Sequence, residues 1–575
     1  MHIPIPGIGG ITATPQEYLI WVVILTIILF AVFRAIKDKA FITPSYLKYF
    51  LIYLVLILST AVFNPIKNTD IFVINVLRLI AAFIIWLSLH QFRLGEKEKQ
   101  GILLIILVSA LIESALVIIQ PYALTAYIPP VGGAFGQKNL FASWTATGIA
   151  ISLYFITTER FSGYKNSKKA LFFSAAGFMS AGLILASSRA GLLGASIAII
   201  TLLTTNWRRY SSIRKHLAIW FLAFALGIGG GFYLLIGPSN SLKSEAEEGA
   251  RWISDTSQRS YAERLLMYRT SYEMFKQRPL FGQGFSNFSS LYMYHQAEVA
   301  KDNPEYKALI HDDISHPHNE FFYILAECGL FGILAIAIAL FGIWRILSKT
   351  GLSRAGIYAA LLIPLIVHMM VEYPLKLSTA HYLLFLILLY MVTSNEVKER
   401  ELKLGKGAAA AVMLFAGGLY LGTTAYTFRT FEDYVNLVAF NIKFNEEKGV
   451  ISEEHIKPAM KNIYLRNIAL PDYMYKKAIA AASDTEMNKD VIDKFLIWNE
   501  AEKLRRPVMK SFYTEGLLFY LIGCRDKEMP LFYFDKALSV TGEGLYLYPN
   551  ERYLLALKES IISSPCLKAP TVGNI

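Results

Sequence analysis

Apolar residues come in long unbroken runs through residue 428, and short polar stretches separate them. The runs lie near 18–35, 47–63, 71–92, 101–119, 139–157, 170–187, 190–205, 216–236, 319–344, 355–371, 378–394 and 407–427. About twenty apolar residues in a helix match the hydrocarbon thickness of a bilayer. Lipid offers no partner to a backbone N–H or C=O, so such runs must be helical. The pattern predicts an all-α polytopic membrane protein with about twelve transmembrane helices, a few of them short. After 428 the pattern mixes polar and apolar positions at helical spacing, with no further span to residue 575. Helices are expected near 430–446, 452–465, 472–483, 487–504, 508–523 and 529–540, punctuated by Pro471, Pro507 and Pro549. Gly516, Ala537 and Pro549 suggest a tetratricopeptide-like pair, without a clear repeat. The expected organisation is a transmembrane domain, 1–428, with a long polar loop at 237–318, and an α-helical domain, 429–575.

Charge adds an orientation. Every second loop is basic: Arg34, Lys37 and Lys39 after the first run, then Arg93, Lys97 and Lys99, then Arg160, Lys165, Lys168 and Lys169. Arg208, Arg209, Arg214 and Lys215, then Arg345, Lys349 and Arg354, then the stretch from Lys398 to Lys406, continue the alternation. The positive-inside rule puts these loops in the cytoplasm. Parity then puts 121–138, 187–189, 237–318, 372–374 and both chain ends outside. The composition fits: 54% of residues are hydrophobic, and 56 Lys and Arg against 44 Asp and Glu give a formal charge of +12. Those cations are scattered over short loops, which argues against nucleic acid as a partner. The opening Met1-His2-Ile3-Pro4 lacks a basic region and a cleavage site, so no removable signal peptide is expected. Of three cysteines, Cys328 falls in a span, and Cys524 and Cys566 either pair or stay as thiols.

The unusual polar residues gather on the outer loops. Ionisable groups at membrane depth are costly and usually functional. His316-Pro317-His318-Asn319-Glu320 joins the long polar loop to the ninth run. It reads either as a helix cap with an interfacial histidine or as a general base that titrates near neutral pH. Glu320 and Glu327, seven apart, share a helix face, while Gly329 and Gly332 allow close helix approach. No familiar metal-ligand set accompanies the two histidines, and no metal is expected. Arg189, in Ser187-Ser188-Arg189-Ala190-Gly191, either snorkels at the interface or clamps a phosphate. An amphipathic helix around 263–275 carries Arg264, with Arg259 and Arg269 nearby, and leads into the turn Arg278-Pro279-Leu280-Phe281-Gly282-Gln283-Gly284. Before the fifth run, Pro129-Pro130-Val131-Gly132-Gly133-Ala134-Phe135-Gly136-Gln137-Lys138-Asn139 offers glycines for close backbone approach to a ligand. Gln137 and Asn139 add neutral donors and acceptors. The loop lacks the Lys-Ser/Thr ending of a nucleotide-binding loop. Glu372-Tyr373-Pro374 closes the tenth run on the same side and, taken alone, reads as an aromatic interface anchor.

Together these motifs resemble a known family. His316-Pro317-His318-Asn319-Glu320 followed by Glu327-Cys328-Gly329-Leu330-Phe331-Gly332 is similar to the signature of the O-antigen ligase and polymerase (Wzy/WaaL) superfamily. Gly132–Asn139, Ser188-Arg189-Ala190-Gly191, the 278–282 turn, Glu372-Tyr373-Pro374 and the helical C-terminal region resemble one branch of it. That branch is the PglL/PilO-type bacterial O-linked protein oligosaccharyltransferases. The resemblance implies a GT-C-like glycosyltransferase of the bacterial inner membrane with its site and C-terminal domain in the periplasm. It implies a donor glycan on undecaprenyl pyrophosphate, and a Ser or Thr of pilin or another exported protein as acceptor. No cofactor is implied. His318 matches the essential histidine, Gln137 and Tyr373 match required positions, and Arg189 and Arg264 match pyrophosphate-contacting arginines. Gln137 and Asn139 would join the donor site, and Tyr373, Glu372, His316, Asn319 and Glu320 would be acceptor-site or supporting residues. The same donor chemistry also suits a lipid A-core O-antigen ligase or an O-antigen polymerase. A transporter or scaffold is the reading from another class; no internal repeat of the transporter kind is evident.

Overall fold

A computed structural model describes residues 15–123, 132–207, 210–236, 256–310, 313–446, 453–483, 487–526 and 528–563. The elements follow in chain order: α1 (Pro15–Lys37), β1 (Ala40–Pro44), α2 (Leu47–Ser59), α3 (Thr69–Gln91), α4 (Glu96–Ala123), α5 (Lys138–Thr157), α6 (Asn166–Leu185), α7 (Arg189–Thr205) and α8 (Tyr210–Ile236). Among its described residues the expected polar loop then contains three helices: α9 (Thr256–Gln277), α10 (Phe288–Ala300) and α11 (Pro304–Ala308). After it come α12 (Glu320–Leu347), α13 (Leu352–Met369), α14 (Pro374–Leu377), α15 (Thr379–Thr393), β2 (Val397–Glu401) and α16 (Lys406–Glu446). The chain closes with α17 (Glu453–Lys461), α18 (Arg466–Ser483), α19 (Lys489–Arg505), α20 (Met509–Arg525), α21 (Pro530–Leu547) and α22 (Arg552–Ile562).

All twelve apolar runs become helices, and the chain is an all-α polytopic membrane protein. Among the described residues nine helices are long and apolar enough to cross a membrane, and Leu47–Ser59, Arg189–Thr205 and Thr379–Thr393 are shorter apolar ones. Helix α5 is the centre of the bundle. Every residue from Leu140 to Thr157 is buried, with α4, α6, α7 and α13 packed around it. The peripheral helices turn large apolar side chains outward, among them Phe30, Ile105, Phe178 and Leu226, as a lipid-facing surface requires.

The alternation of loops is visible as two ends. At one end β1 pairs antiparallel with β2, Ala40 opposite Glu401, so the loops after the first and eleventh runs form one ribbon. Arg93 reaches Glu399 of that ribbon at 2.9 Å, and Lys349 reaches Glu396 at 2.9 Å. Four of the basic loops therefore meet at this end.

At the other end α12 is not one continuous helix. Gly329 has φ 58 and ψ −147, a break inside the ninth apolar run. A helix break at membrane depth exposes backbone groups that lipid cannot satisfy. The 278–284 turn docks there and satisfies them. Leu330 N donates to Pro279 O at 2.9 Å and Phe331 N to Leu280 O at 3.1 Å; Gln283 N and Gly284 N donate to Ala326 O and Glu327 O at 2.9 and 2.8 Å. A Cβ on Gly329 would lie 2.5 Å from Pro279 O, so only glycine fits. Gly329 thus serves backbone docking, not the helix–helix approach expected from sequence. Glu320 and Glu327 are both buried, as expected from their spacing.

The C-terminal region differs from expectation in three ways. The composition shift at 428 is not a backbone break, because α16 continues from Lys406 to Glu446. Pro471 does not end a helix but lies within α18, whose first turn closes through Ile468 and Ala469 N–H on Leu465 O. An additional helix, α22, follows Pro549. This region also shares a core with the 256–310 helices: Leu266, Phe288, Tyr292 and Ala297 pack with Phe512, Leu547, Tyr548 and Leu554. Buried Asp70, at the start of α3, accepts from Arg466 and from Arg505 Nη1, the latter at 2.9 Å. Cys328 is buried in α12; pairing of Cys524 involves Cys566, which lies outside the described residues, as do Pro129, Pro130 and Val131.

Candidate active site

The site grows from the 316–320 segment. Asn319 caps α12, its Oδ1 accepting from Phe321 and Phe322 N at 2.9 and 3.2 Å. Its Nδ2 donates to Met370 O at 2.9 Å, which ties this segment to the end of α13. His318 has a left-handed backbone, φ 52, uncommon for a residue with a Cβ. Its N–H donates to His316 Nδ1 at 2.9 Å, which holds that conformation. Strained backbone of this kind is stored where side-chain direction matters.

From there a chain of hydrogen bonds crosses four segments. His318 Nδ1 lies 2.6 Å from Glu372 Oε1. Glu372 Oε2 accepts from Asn139 Nδ2 at 3.1 Å, and Asn139 Oδ1 accepts from Ser188 Oγ at 2.9 Å. Ser188 Oγ in turn accepts from Gly191 N at 3.2 Å, the N-cap bond of α7. Burial pushes the Glu372 carboxyl up. Its bonds to His318 and Asn139 outweigh burial and hold it below the ordinary value. Glu372 is therefore an acceptor, which assigns the Nδ1 proton to His318 and leaves its Nε2 with a free lone pair. The His318 side chain is 35% exposed, against 7% for Glu372, so the imidazole faces out and the carboxylate bonded to it faces in.

Cations adjoin this chain of bonds, Lys138 next to Asn139 and Arg189 next to Ser188. Arg189 is the first residue of α7 and Lys138 the first of α5. Lys138 lies within electrostatic reach of both Arg264 and Arg189. The N-termini of α5 and α7 add the positive ends of two helix dipoles, a ready site for phosphate oxygens. The neighbouring arginines are committed elsewhere: Arg259 pairs with Glu263 at 3.1 Å, and Arg269 donates to Tyr306 Oη at 3.1 Å. Lys138 is a site residue that sequence reading passed over as part of a motif.

The glycine-rich segment is a packed turn more than an open cradle. Gly133 (φ 54) and Gly136 (φ 61) make left-handed steps, and Ala134 N donates to buried Glu113 Oε2 at 3.0 Å. Only Gly136 of this group is exposed. Its effect is to deliver Gln137, Lys138 and Asn139 at the start of α5. Gln137 Oε1 is buried with no hydrogen-bond partner among the described residues.

Behind His318 lies a second layer. The His316 ring stacks between Tyr373 and Tyr323, with centroids 4.1 and 4.7 Å away. Burial lowers its pKa to about 4, against the pull of Glu320, so it is neutral at physiological pH. Its Nδ1 accepts from His318, so its proton sits on Nε2, 3.8 Å from Glu320 Oε2. His316 is thus a positioning residue. Below Glu372, Ser143 Oγ lies 2.7 Å from His368 Nδ1 and 3.1 Å from His381 Nε2, a buried cluster no motif announced.

Residues 174–337 match a family described as O-antigen ligase, and residues 357–451 match one described as the C-terminal part of a virulence factor membrane-bound polymerase. The chain fits the Wzy/WaaL superfamily. Arg189, Arg264, His316, His318, Asn319 and Glu320 fall within the first match, and Glu372 and Tyr373 within the second. The second match runs through 428 to 451, as helix α16 does. No curated protein matches the chain. The Wzy/WaaL families support a glycan-transferring activity in the membrane, with a lipid-linked glycan donor and a protein or lipid acceptor.

Proposed function

We propose that this protein transfers a preassembled glycan from undecaprenyl pyrophosphate to a Ser or Thr hydroxyl of an exported protein such as pilin. The transfer takes place at the periplasmic face of the bacterial inner membrane. The observation that carries this reading is the His318–Glu372–Asn139–Ser188 chain set beside Lys138, Arg189 and Arg264. His318 Nε2 takes the proton of the attacking hydroxyl, and Glu372 stabilises the imidazolium that forms. The hydroxyl oxygen bonds to the anomeric carbon as the bond from that carbon to the phosphate oxygen breaks, with inversion. The departing pyrophosphate takes the electron pair, and its charge develops against Arg189, Arg264 and Lys138. The activated donor supplies the driving force, and the scheme uses no metal or cofactor. Gln137 and Asn139 position the donor, and Tyr373 and His316 back the base.

The basic loops joined by β1 and β2 support the orientation, since the positive-inside rule puts that end in the cytoplasm and the dyad opposite it. The C-terminal helices, packed at the dyad's end of the bundle, favour a protein acceptor. A ligase acting on lipid A-core, or a polymerase, is the second reading, favoured by the descriptions of the matched families. Co-expression with a lipid-linked glycan and a pilin decides among them. A glycan-sized mass shift on the pilin, lost in His318→Ala, is the expected result. Decorated lipopolysaccharide on unmodified pilin would mean the ligase; a ladder of lengthened lipid-linked glycans would mean the polymerase.

A further inference from the structure

A cavity of about 900 Å³ opens between α3, the 313–316 segment, Tyr373–Leu377 and the C-terminal helices α18 to α20. Its inner wall is the His316–Tyr373 layer, and Tyr373 separates it from His318, ring centroids 6.0 Å apart. Resting on the glycan-transfer reading above, we propose that this cleft seats an extended, carboxylate-bearing segment of the acceptor polypeptide while the adjoining hydroxyl reaches His318.

Two observations identify the ligand class. The first is which lining charges are already spent. Asp313 accepts from Tyr548 Oη at 2.6 Å, Asp472 from Lys476 at 3.0 Å and Glu502 from Arg505 at 2.9 Å. Glu327 accepts from the Ser286 and Phe288 amides at 2.9 and 3.0 Å. Glu551 at the rim is the remaining acid. The lining cations are not spent in this way. The side chains of Arg78, Arg506 and Lys510 form no ion pair or hydrogen bond among the described residues, although Arg506 feels the field of Glu502. Lys376 rests on the Tyr323 ring, 3.7 Å from its centroid. Lys376 lies in the field of Glu320 and Glu327 and Arg78 in that of Glu17, which leaves Arg506 and Lys510 as the cations with no carboxylate paired to them among the described residues; a carboxylate is their complement.

The second observation is a pair of orphaned atoms. His316 and Asn467 line the cleft; Asn467 Oδ1 is buried without a hydrogen-bond partner among the described residues, and His316 Nε2 has only Glu320 Oε2 near it, at 3.8 Å, beyond hydrogen-bond distance. Buried polar atoms in native proteins are normally satisfied. His316 Nε2 is a donor by the tautomer assigned above, and Asn467 Oδ1 is an acceptor. A peptide backbone presents one C=O and one N–H per residue and satisfies both; an inorganic anion satisfies only the donor. Seating a segment here loads the ring that holds the His318 backbone, so acceptor binding and base geometry are coupled.

The test uses the full chain in lipid nanodiscs and fluorescein-labelled peptides of Ser, Ala and Gly. One carries Glu and an amidated end, one Gln and a free carboxyl end, and one Gln and an amidated end. Fluorescence anisotropy should show binding of a carboxylate peptide and roughly tenfold weaker binding by Arg506→Gln/Lys510→Gln. Whichever carboxylate peptide binds identifies side chain or chain end as the source. Asn467→Ala should weaken both carboxylate peptides alike. Equal binding of all three peptides, or unchanged binding by the double variant with an unchanged melting temperature, overturns the proposal. Product mass on the same samples separates the two failures. Binding through the cleft without transfer sinks the protein-acceptor reading and leaves the cleft. Transfer with a peptide KM indifferent to Arg506 and Lys510 sinks the cleft and leaves the reading.

Discussion

The two ends of the bundle are held together in opposite ways. The ribbon end is joined by a short β-pair and by ion pairs such as Arg93–Glu399 and Lys349–Glu396, whose side chains are 32 to 57% exposed. Pairs of that kind contribute about 0–1 kcal/mol each. The dyad end is joined by buried or half-buried hydrogen bonds running from Ser188 to His318, and by Asp70 clamped between Arg466 and Arg505. Leaving one member of a buried polar pair unsatisfied costs about 1–3 kcal/mol, more for a charged group. The end joined through exposed ion pairs is therefore the less demanding one, and the end joined through buried polar pairs is where the proposed chemistry lies.

The largest expected effect is on the dyad. Glu372→Gln keeps the shape of the network but cannot stabilise an imidazolium, so kcat at neutral pH should fall roughly 10²-fold or more, with His318→Ala at least as severe. Single-turnover transfer by folded variants checks this; near wild-type turnover in Glu372→Gln would show that His318 needs no orienting carboxylate. Arg189→Ala and Arg264→Ala should each cost roughly 10²–10³ in kcat. Arg269→Ala, whose guanidinium is committed to Tyr306, should stay within about twofold. Equal losses at Arg264 and Arg269 would undo the choice between them.

Stability effects come next. Gly329→Ala must place a Cβ 2.5 Å from Pro279 O at φ 58, which should destabilise by about 2–4 kcal/mol in thermal unfolding. Acidification sharpens the contrast further. His316 titrates near 4 in the fold against 6.5 when unfolded, so the unfolded chain binds more protons between those values. Its share of stability is intact above pH 6.5 and is lost as pH falls toward 4, about 3 kcal/mol at most. Glu372, held below its ordinary 4.5, loses its share as pH falls further, through its folded value. His316→Gln should flatten the slope of melting temperature against pH between 6.5 and 4; an unchanged slope would place the sensitivity elsewhere. The smallest effect is at the ribbon: Arg93→Ala should shift stability by under about 1 kcal/mol and leave transfer unchanged.

The spans were legible because hydropathy is a local average, and a helix is the only local answer lipid accepts. His318, Arg189 and Asn139 were legible as polar residues stranded at the ends of apolar runs, and Arg264 only through the family resemblance. Glu372 was named only as a neighbour of Tyr373, since nothing in its surroundings along the chain announces a partner 54 residues away. Asp70 and the Ser143–His368–His381 cluster were illegible for the same reason. Gly329 looked like any small residue in a span, because the turn that makes a glycine obligatory there lies fifty residues earlier.

By itself the chain's order of residues determined that twelve apolar segments fold as helices and that their connecting loops alternate in charge. Both follow from solvation, which acts on each segment separately. Which loops meet, where the ninth span breaks, which of two histidines is held by a carboxylate and which is buried between tyrosines, were decided only in three dimensions. A hydrogen bond at 2.6 Å depends on backbone placement to a fraction of an ångström. That placement is set by packing of α5, α7, α12 and α13 together, which no single stretch of the chain encodes.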